Sequence, residues 1–173
     1  MAKKKEVFKQ RMYHLVLYSL SPIQKGIQAY HSGIEFANHY FKTPEFQRWA
    51  KKDKTVIILN GGTSNTTGTN LYNKDIMFGS MDKSLDELCI NRVKCSKFYE
   101  PDCNNALTAI SFLVSEKVWD KTNYPDLLKI SNEDDATEVL NKEYINKELV
   151  KEHQYTKEEL FLKEFLRQFN LAN

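Results

Sequence analysis

The 173-residue sequence predicts an α/β domain, and three observations carry that prediction. An apolar, β-rich run at 13–19 (YHLVLYS) is followed by a long helical periodicity, and a second apolar run at 54–60 (KTVIILN) closes the unit. A strand, a helical crossover and a second strand in that order read as a right-handed βαβ unit with parallel strands. Two further runs, 94–99 and 107–114, add a third and a fourth strand. Composition agrees: 41% hydrophobic and 28% charged residues are ordinary for a globular chain of a size that buries a real core.

The helix after the first strand organises the rest. Ser21 offers a cap, and Pro22 suits a first turn, where its missing N–H is not needed. Ile23, Ile27, Tyr30, Ile34, Ala37 and Phe41 recur at steps of four and three, an apolar stripe expected to pack inward. Gln24, Gln28, His31, Glu35 and Asn38 make a polar stripe of the same rhythm, and Gly26, Ala29 and Gly33 make a small one suited to close approach to a sheet. The reading is a helix with two packing faces and one chemical face.

Thr43-Pro44-Glu45 opens a shorter helix with Phe46, Trp49 and Ala50 on its inner side. Residues 61–80 (GGTSNTTGTNLYNKDIMFGS) read as a long loop at a strand end, where open α/β sheets place ligands. Its Gly-Gly-Thr-Ser start invites a phosphate cradle, but no GxGxxG or GxxxxGK[ST] pattern is present, and a surface insertion fits as well. Ser84 is expected to cap a helix over 85–93, and 100–105 (EPDCNN) is a polar turn. Ser131 is expected to cap a helix bearing Val139, Leu140, Tyr144, Ile145 and Leu149, while Thr156 and Glu159 form a capping box for the last one.

Three segments follow: a flexible basic arm at 1–12, an α/β domain at 13–130 and an acidic amphipathic helical extension at 131–173, packed on the domain or on a partner. The extension holds ten Asp or Glu against six Lys or Arg, so the basic excess behind the net charge of +2 lies upstream. It begins with Lys3, Lys4, Lys5, Lys9 and Arg11, which suit phosphate contacts or simply a solvated end. No apolar run approaches the ~20 residues of a membrane span and no signal-peptide core is present, so a cytoplasmic protein without membrane contact is expected. Cys89, Cys95 and Cys103 are odd in number and lack paired metal-ligand spacing, and they are read as reduced and mostly buried thiols, with no metal site.

The order of the 13–19 strand, the LSPIQKGIQAYHS helix, the tryptophan-bearing short helix and the KTVIILN strand resembles the type 2 peptidyl-tRNA hydrolase family. Gln28, His31 and Ser32 match the glutamine, histidine and small residue of that family's strand-to-helix motif, and Trp49 with 54–59 matches its next block. Glu100-Pro101-Asp102 followed by Leu107-Thr108-Ala109 looks like a variant of its aspartate-bearing turn. Gln24 stands where the family has a lysine, Ile23 where it has a glycine, and the glycine and threonine after the aspartate are missing. In these respects the chain is similar to divergent bacterial and phage-encoded members. The likeness covers about 13–116. It implies a three-layer α/β fold, a mixed four-stranded sheet flanked by helices, here with the C-terminal helical extension added. It also implies hydrolysis of the ester joining a peptide or acyl group to the tRNA 3′ end, without a metal or organic cofactor.

Ester hydrolysis needs an oriented water, a base and donors for the oxyanion. On this resemblance Asp102 orients or deprotonates the water, Gln24 and the helix N-terminus meet the oxyanion, and Thr108 positions the ester or the ribose. His31 serves as a base or instead bonds a neighbouring strand or Glu35; Asp102 has the alternative of capping its own turn; Gln28 ties the helix to nearby backbone. For tRNA phosphates the candidates are Lys25, Arg48, Lys51, Lys52 and Lys54 with the arm. Two other readings remain open: a catalytically inactive RNA- or protein-binding module on the same fold, and a homodimeric accessory protein that uses its C-terminal helices for partners.

Overall fold

A computed structural model of the chain describes residues 7–64 and 79–172; residues 1–6 of the arm and 65–78 of the long loop lie outside the described residues. Strands β1 (Gln10–Leu17), β2 (Thr55–Gly62), β3 (Cys95–Glu100) and β4 (Ala106–Ser115) form one mixed sheet in the order β2-β1-β4-β3. β1 and β2 are parallel, Met12 lying beside Val56 and His14 beside Ile58, and β4 runs antiparallel to both β1 and β3. Helices α1 (Pro22–Tyr40) and α2 (Pro44–Arg48) form the crossover between the parallel strands, and α3 (Ser80–Ile90), α4 (Glu116–Trp119), α5 (Ala136–His153) and α6 (Lys157–Phe165) follow. This is the three-layer α/β fold that the sequence predicts.

The main core fills one face of the sheet. Tyr13, Leu15, Leu59, Leu107, Ile110, Phe112 and Val114 meet Met81, Leu85 and Leu88 of α3 and Leu162 and Phe165 of α6 there. The C-terminal extension is therefore divided: α6 packs on the sheet, while α5 buries none of its residues. Beyond α6, Asn60 N–H donates to Asn170 O (2.9 Å) and Ala172 N–H to Ile58 O (3.0 Å), so the tail covers the otherwise free edge of β2.

On the opposite face α1 lies down the other way round from the sequence expectation. Its apolar stripe points to solvent, Ile23 being 79% and Tyr30 66% exposed, whereas Lys25, Gln28, Ala29, Ser32 and Phe36 are buried against the strands. The cause is the chemistry of this sheet face. It presents His14 from β1, Ser111 from β4 and Ser96, Phe98 and Glu100 from β3 among the apolar Met12, Val16, Ala109 and Leu113 of the two central strands. An isoleucine stripe laid on those groups would leave buried donors and acceptors unpaired, at about 1–3 kcal/mol each. Polar side chains satisfy them, and Phe36 supplies the apolar contact by closing on Met12 and Phe46.

Local capping follows the sequence in three places. Ser21 caps α1 in a capping box with Gln24, Thr43 caps α2, and Thr156 with Glu159 boxes α6. Two expected caps are corrected. α3 begins a turn before Ser84, at Ser80 behind Gly79, because Asp82 accepts from the Gly79 N–H (3.2 Å) and Ser84 is buried within the helix. α5 is capped by Asp135, which accepts from Glu138 N–H (2.8 Å), while Ser131 bonds Asp134 instead.

The reversed seating of α1 has a direct consequence for stability. Phe36→Ala is expected to destabilise the fold by about 3–5 kcal/mol, the cost of emptying a buried aromatic site. Ile23→Ala, measured by urea unfolding of dilute protein, is expected to change stability by no more than about 0.5 kcal/mol. The opposite ranking would put the isoleucine stripe inside.

Candidate functional site

Two buried hydrogen-bond networks lie beneath α1. The first is centred on Gln28. Its Nε2 donates to Glu100 Oε2 (2.6 Å) and its Oε1 accepts from Thr108 Oγ1 (2.7 Å). The carboxylate can only accept, which fixes the orientation of the amide. Thr108 reaches Gln28 because β4 is bulged against β3: Tyr99 pairs with Leu107 and Phe98 with Ala109, so Thr108 is the extra residue. Leu107 then points into the main core while both Thr108 and Ala109 face α1, the re-aiming that a bulge provides. Ser64, just beyond β2, accepts from Leu107 N–H (3.0 Å) at the same corner.

The second network runs from His14 Nδ1 to Ser111 Oγ (2.6 Å), on to Ser32 Oγ, and from Ser32 to Ala29 O (3.3 Å); Ser96 Oγ donates to Ser32 O (2.7 Å). A serine and a histidine in contact have the composition of a nucleophile and its base. Ser111 and Ser32 are 0% exposed, however, and His14 is sealed with them, so no substrate reaches the pair. Its role is to fasten α1 to β1, β3 and β4. Burial depresses the His14 pKa from 6.5 to about 4, so the imidazole is neutral in the folded protein.

Above the first network the surface opens. His31 is half-buried and its ring stacks nearly parallel (13°) on Phe98 at 4.7 Å. Glu100 passes the chain into a short 3-10 turn, Pro101–Cys103, which carries the exposed Asp102. Gln24 is exposed at the N-terminus of α1, where its Oε1 accepts from Ser21 N–H (3.0 Å) and Ser21 Oγ (2.9 Å). Gln24 and His31 are seven residues apart, roughly 10 Å along the axis, so a ligand touching both would lie along the helix. The arrangement is an open platform, suited to an extended substrate.

The structure thus joins Gln28, Thr108 and the Glu100-Pro101-Asp102 turn at one corner, with His31 and Gln24 on the helix beside it. Several expectations are corrected, the first being that the thiols are mostly buried: Cys89 and Cys103 are exposed. Thr108 is fully buried under Gln28, so it positions that amide and does not contact a substrate. Lys25 is buried on the sheet side of α1 and is not presented to solvent phosphates. Arg48 is spent at the far end of the sheet, where it pairs with Asp53 (3.2 Å) and donates to Val7 O (2.7 Å). Lys54 is exposed but lies at that same end: Arg11 sits beside Thr55 while Val16 sits beside Ala109, roughly 17 Å further along β1. The Gly61-Gly62-Thr63-Ser64 start is no open cradle either, since Thr63 N–H is taken by Ser80 Oγ (2.9 Å).

Sequence reasoning overlooked Phe98, the stacking partner of His31; Lys97 and Tyr99, with the ammonium 5.5 Å from the ring centre, are exposed on the other face of β3, away from α1. Their alternation along a strand leading into the Asp102 turn was the available signal. Among the described residues no three His, Cys, Asp or Glu side chains gather closely enough to hold a metal ion, and no helix is long and apolar enough to cross a membrane. Compared with known proteins, the chain matches no family model and no curated sequence.

The state of His14 fixes a pH dependence. Above pH 6.5 the imidazole is neutral both folded and unfolded and contributes no slope. As pH falls from 6.5 toward 4 the unfolded chain binds a proton that the folded one refuses, and stability drops by on the order of 3 kcal/mol. The His14 Cε1–H resonance is expected to stay unshifted from pH 8 to 5; a titration midpoint near 6.5 would mean that the network is open to water.

Proposed function

We propose that this chain hydrolyses the ester between a peptide or acyl group and the tRNA 3′ end, acting in the cytoplasm without a metal or organic cofactor. What supports the reading is the Gln28 joint, which holds the Asp102 turn beside the polar stripe of α1, together with the stacked His31–Phe98 pair on the same open surface. Stacking on aromatic faces is the usual means of holding single-stranded nucleotides, and the tRNA terminus is single-stranded.

In this reaction Asp102 takes a proton from water as the water oxygen bonds to the ester carbonyl carbon and the carbonyl electron pair moves onto its oxygen. Gln24 Nε2, which takes no part in the bonds that Oε1 makes to Ser21, donates to that oxyanion. Collapse breaks the bond to the ribose oxygen, which takes the proton from Asp102, leaving a free acid and tRNA. Gln28 and Thr108 position the turn, and His31 with Phe98 holds the terminal base. A binding module without turnover is the second reading. It is favoured by the engagement of Gln24 in helix capping and by the burial of Lys25, since both leave the surface poor in strong oxyanion donors.

The test is release of free tRNA from peptidyl-tRNA. Turnover is expected, and Asp102→Ala should reduce it at least ~100-fold, the scale of a lost general base. Salt-sensitive tRNA binding with no turnover at high protein concentration would leave the binding module in place of the hydrolase.

A further inference from the structure

We infer that the outer stripe of α1 and the bare face of β2 form a two-fold interface between two copies of this chain. Ile23, Ile27, Tyr30, Ile34 and Phe41 are all large, apolar and 43–79% exposed, on the side of the helix roughly opposite its buried residues. With Ala37 their spacing is four, three, four, three, four, the alternation of a helix seam that packs against another surface along its whole length. Its flanks carry few charges: Gln24, His31 and Asn38 with Glu35 on one side, Gly26, Gly33 and Tyr40 on the other, and Lys42 over the Phe41 ring (5.4 Å) at the C-terminal end. Around Gly26 an added Cβ would meet nothing within 4 Å, so the flank is open there, while at Gly33 it closes on His14 (3.3 Å) of its own sheet.

The trough for this ridge is on the same face of the same chain. α1 lies over β3, β4 and β1 and touches β2 least. Strands ~4.8 Å apart make a four-stranded sheet wider than one ~10 Å helix can cover. β2 is the strand left over. Val56, beside Met12 in register and therefore on the α1 face, is 47% exposed, and Ile58 next along that face is half-buried against Val16 and Ala29.

A two-fold axis satisfies both features at once, because each copy supplies a ridge and a trough, and α1 becomes sandwiched between its own sheet and the partner's β2. The five ridge residues and Val56 leave on the order of 600 Å² of apolar surface open per copy, at the top of the range for a monomer's largest patch. Two copies bury ~1,200 Å² through these side chains alone, enough for a specific interface. A strongly charged partner finds only Glu35 and Lys42 to pair with along this ridge. α5, whose Leu140, Tyr144 and Ile145 are also exposed, is less suited: Lys142, Glu143, Lys147 and Glu148 interrupt its apolar residues.

Sedimentation of the full chain across a concentration series tests this. The wild type is expected to shift from 20.3 kDa to twice that mass. Ile27→Glu on the ridge and Val56→Glu on the trough should each weaken association at least ~30-fold, the loss expected of an interface hot spot. Tyr144→Glu on α5 should leave it unchanged. Circular dichroism checks that each variant is folded, and Ile34→Glu is a second ridge variant should one not be. A wild type that stays at 20.3 kDa into the high micromolar range, as it would with a different protein as occupant, overturns the inference. So does a dimer that survives Ile27→Glu and Ile34→Glu but dissociates with Tyr144→Glu.

Discussion

Helix α1 is held to its sheet by hydrogen bonds between buried side chains, and the rest of the architecture depends on that choice. Gln28 with Thr108 and Glu100, and Ser32 with Ser111, His14 and Ser96, take the place that interlocking aliphatic groups fill on the other side of the sheet. Apolar contacts tolerate sliding, whereas buried polar groups do not, because each one separated from its partner loses its full desolvation cost. A rotation of α1 by one residue, ~100°, would orphan several of them together. The two networks therefore set the rotation and axial position of α1 more sharply than packing alone would.

Both surfaces discussed above follow from that seating. Turning the face of Gln28, Ser32 and Phe36 inward brings Gln28 against the turn that carries Asp102 and places His31 at the rim, over Phe98. The same rotation turns the isoleucine stripe outward, beside a strand that α1 leaves uncovered. The candidate site and the apolar ridge are thus two sides of one helix, and neither could be moved independently of the other. The bulge at Thr108 serves the same end, since regular alternation along β4 would have pointed that hydroxyl into the main core, where Leu107, Ile110 and Phe112 leave it no acceptor.

What the sequence made legible was local. Four strands, the βαβ order and the caps at Ser21, Thr43 and Thr156 rest on residues within a few positions of one another. The meeting of Gln28, Thr108 and the 100–102 turn was legible only in part: the resemblance assigned Asp102 and Thr108 to one site with α1, but nothing local showed the bulge that aims Thr108. The direction α1 faces was illegible, because periodicity shows which residues share a face and not which face is inward. That depends on His14, Ser96 and Ser111, contributed by three strands distant in sequence. Arg48 was lost as a phosphate ligand partly to Asp53, only five residues on, and partly to Val7 O, a partner distant in sequence.

The most direct measurement is a double-mutant cycle between Gln28 and Thr108, read by urea unfolding of Gln28→Ala, Thr108→Val and the double variant. If the inward polar face seats the helix, the two substitutions are coupled by about 1 kcal/mol or more. If their effects add to within about 0.5 kcal/mol, the two side chains are independent and the polar seating of α1 is contradicted.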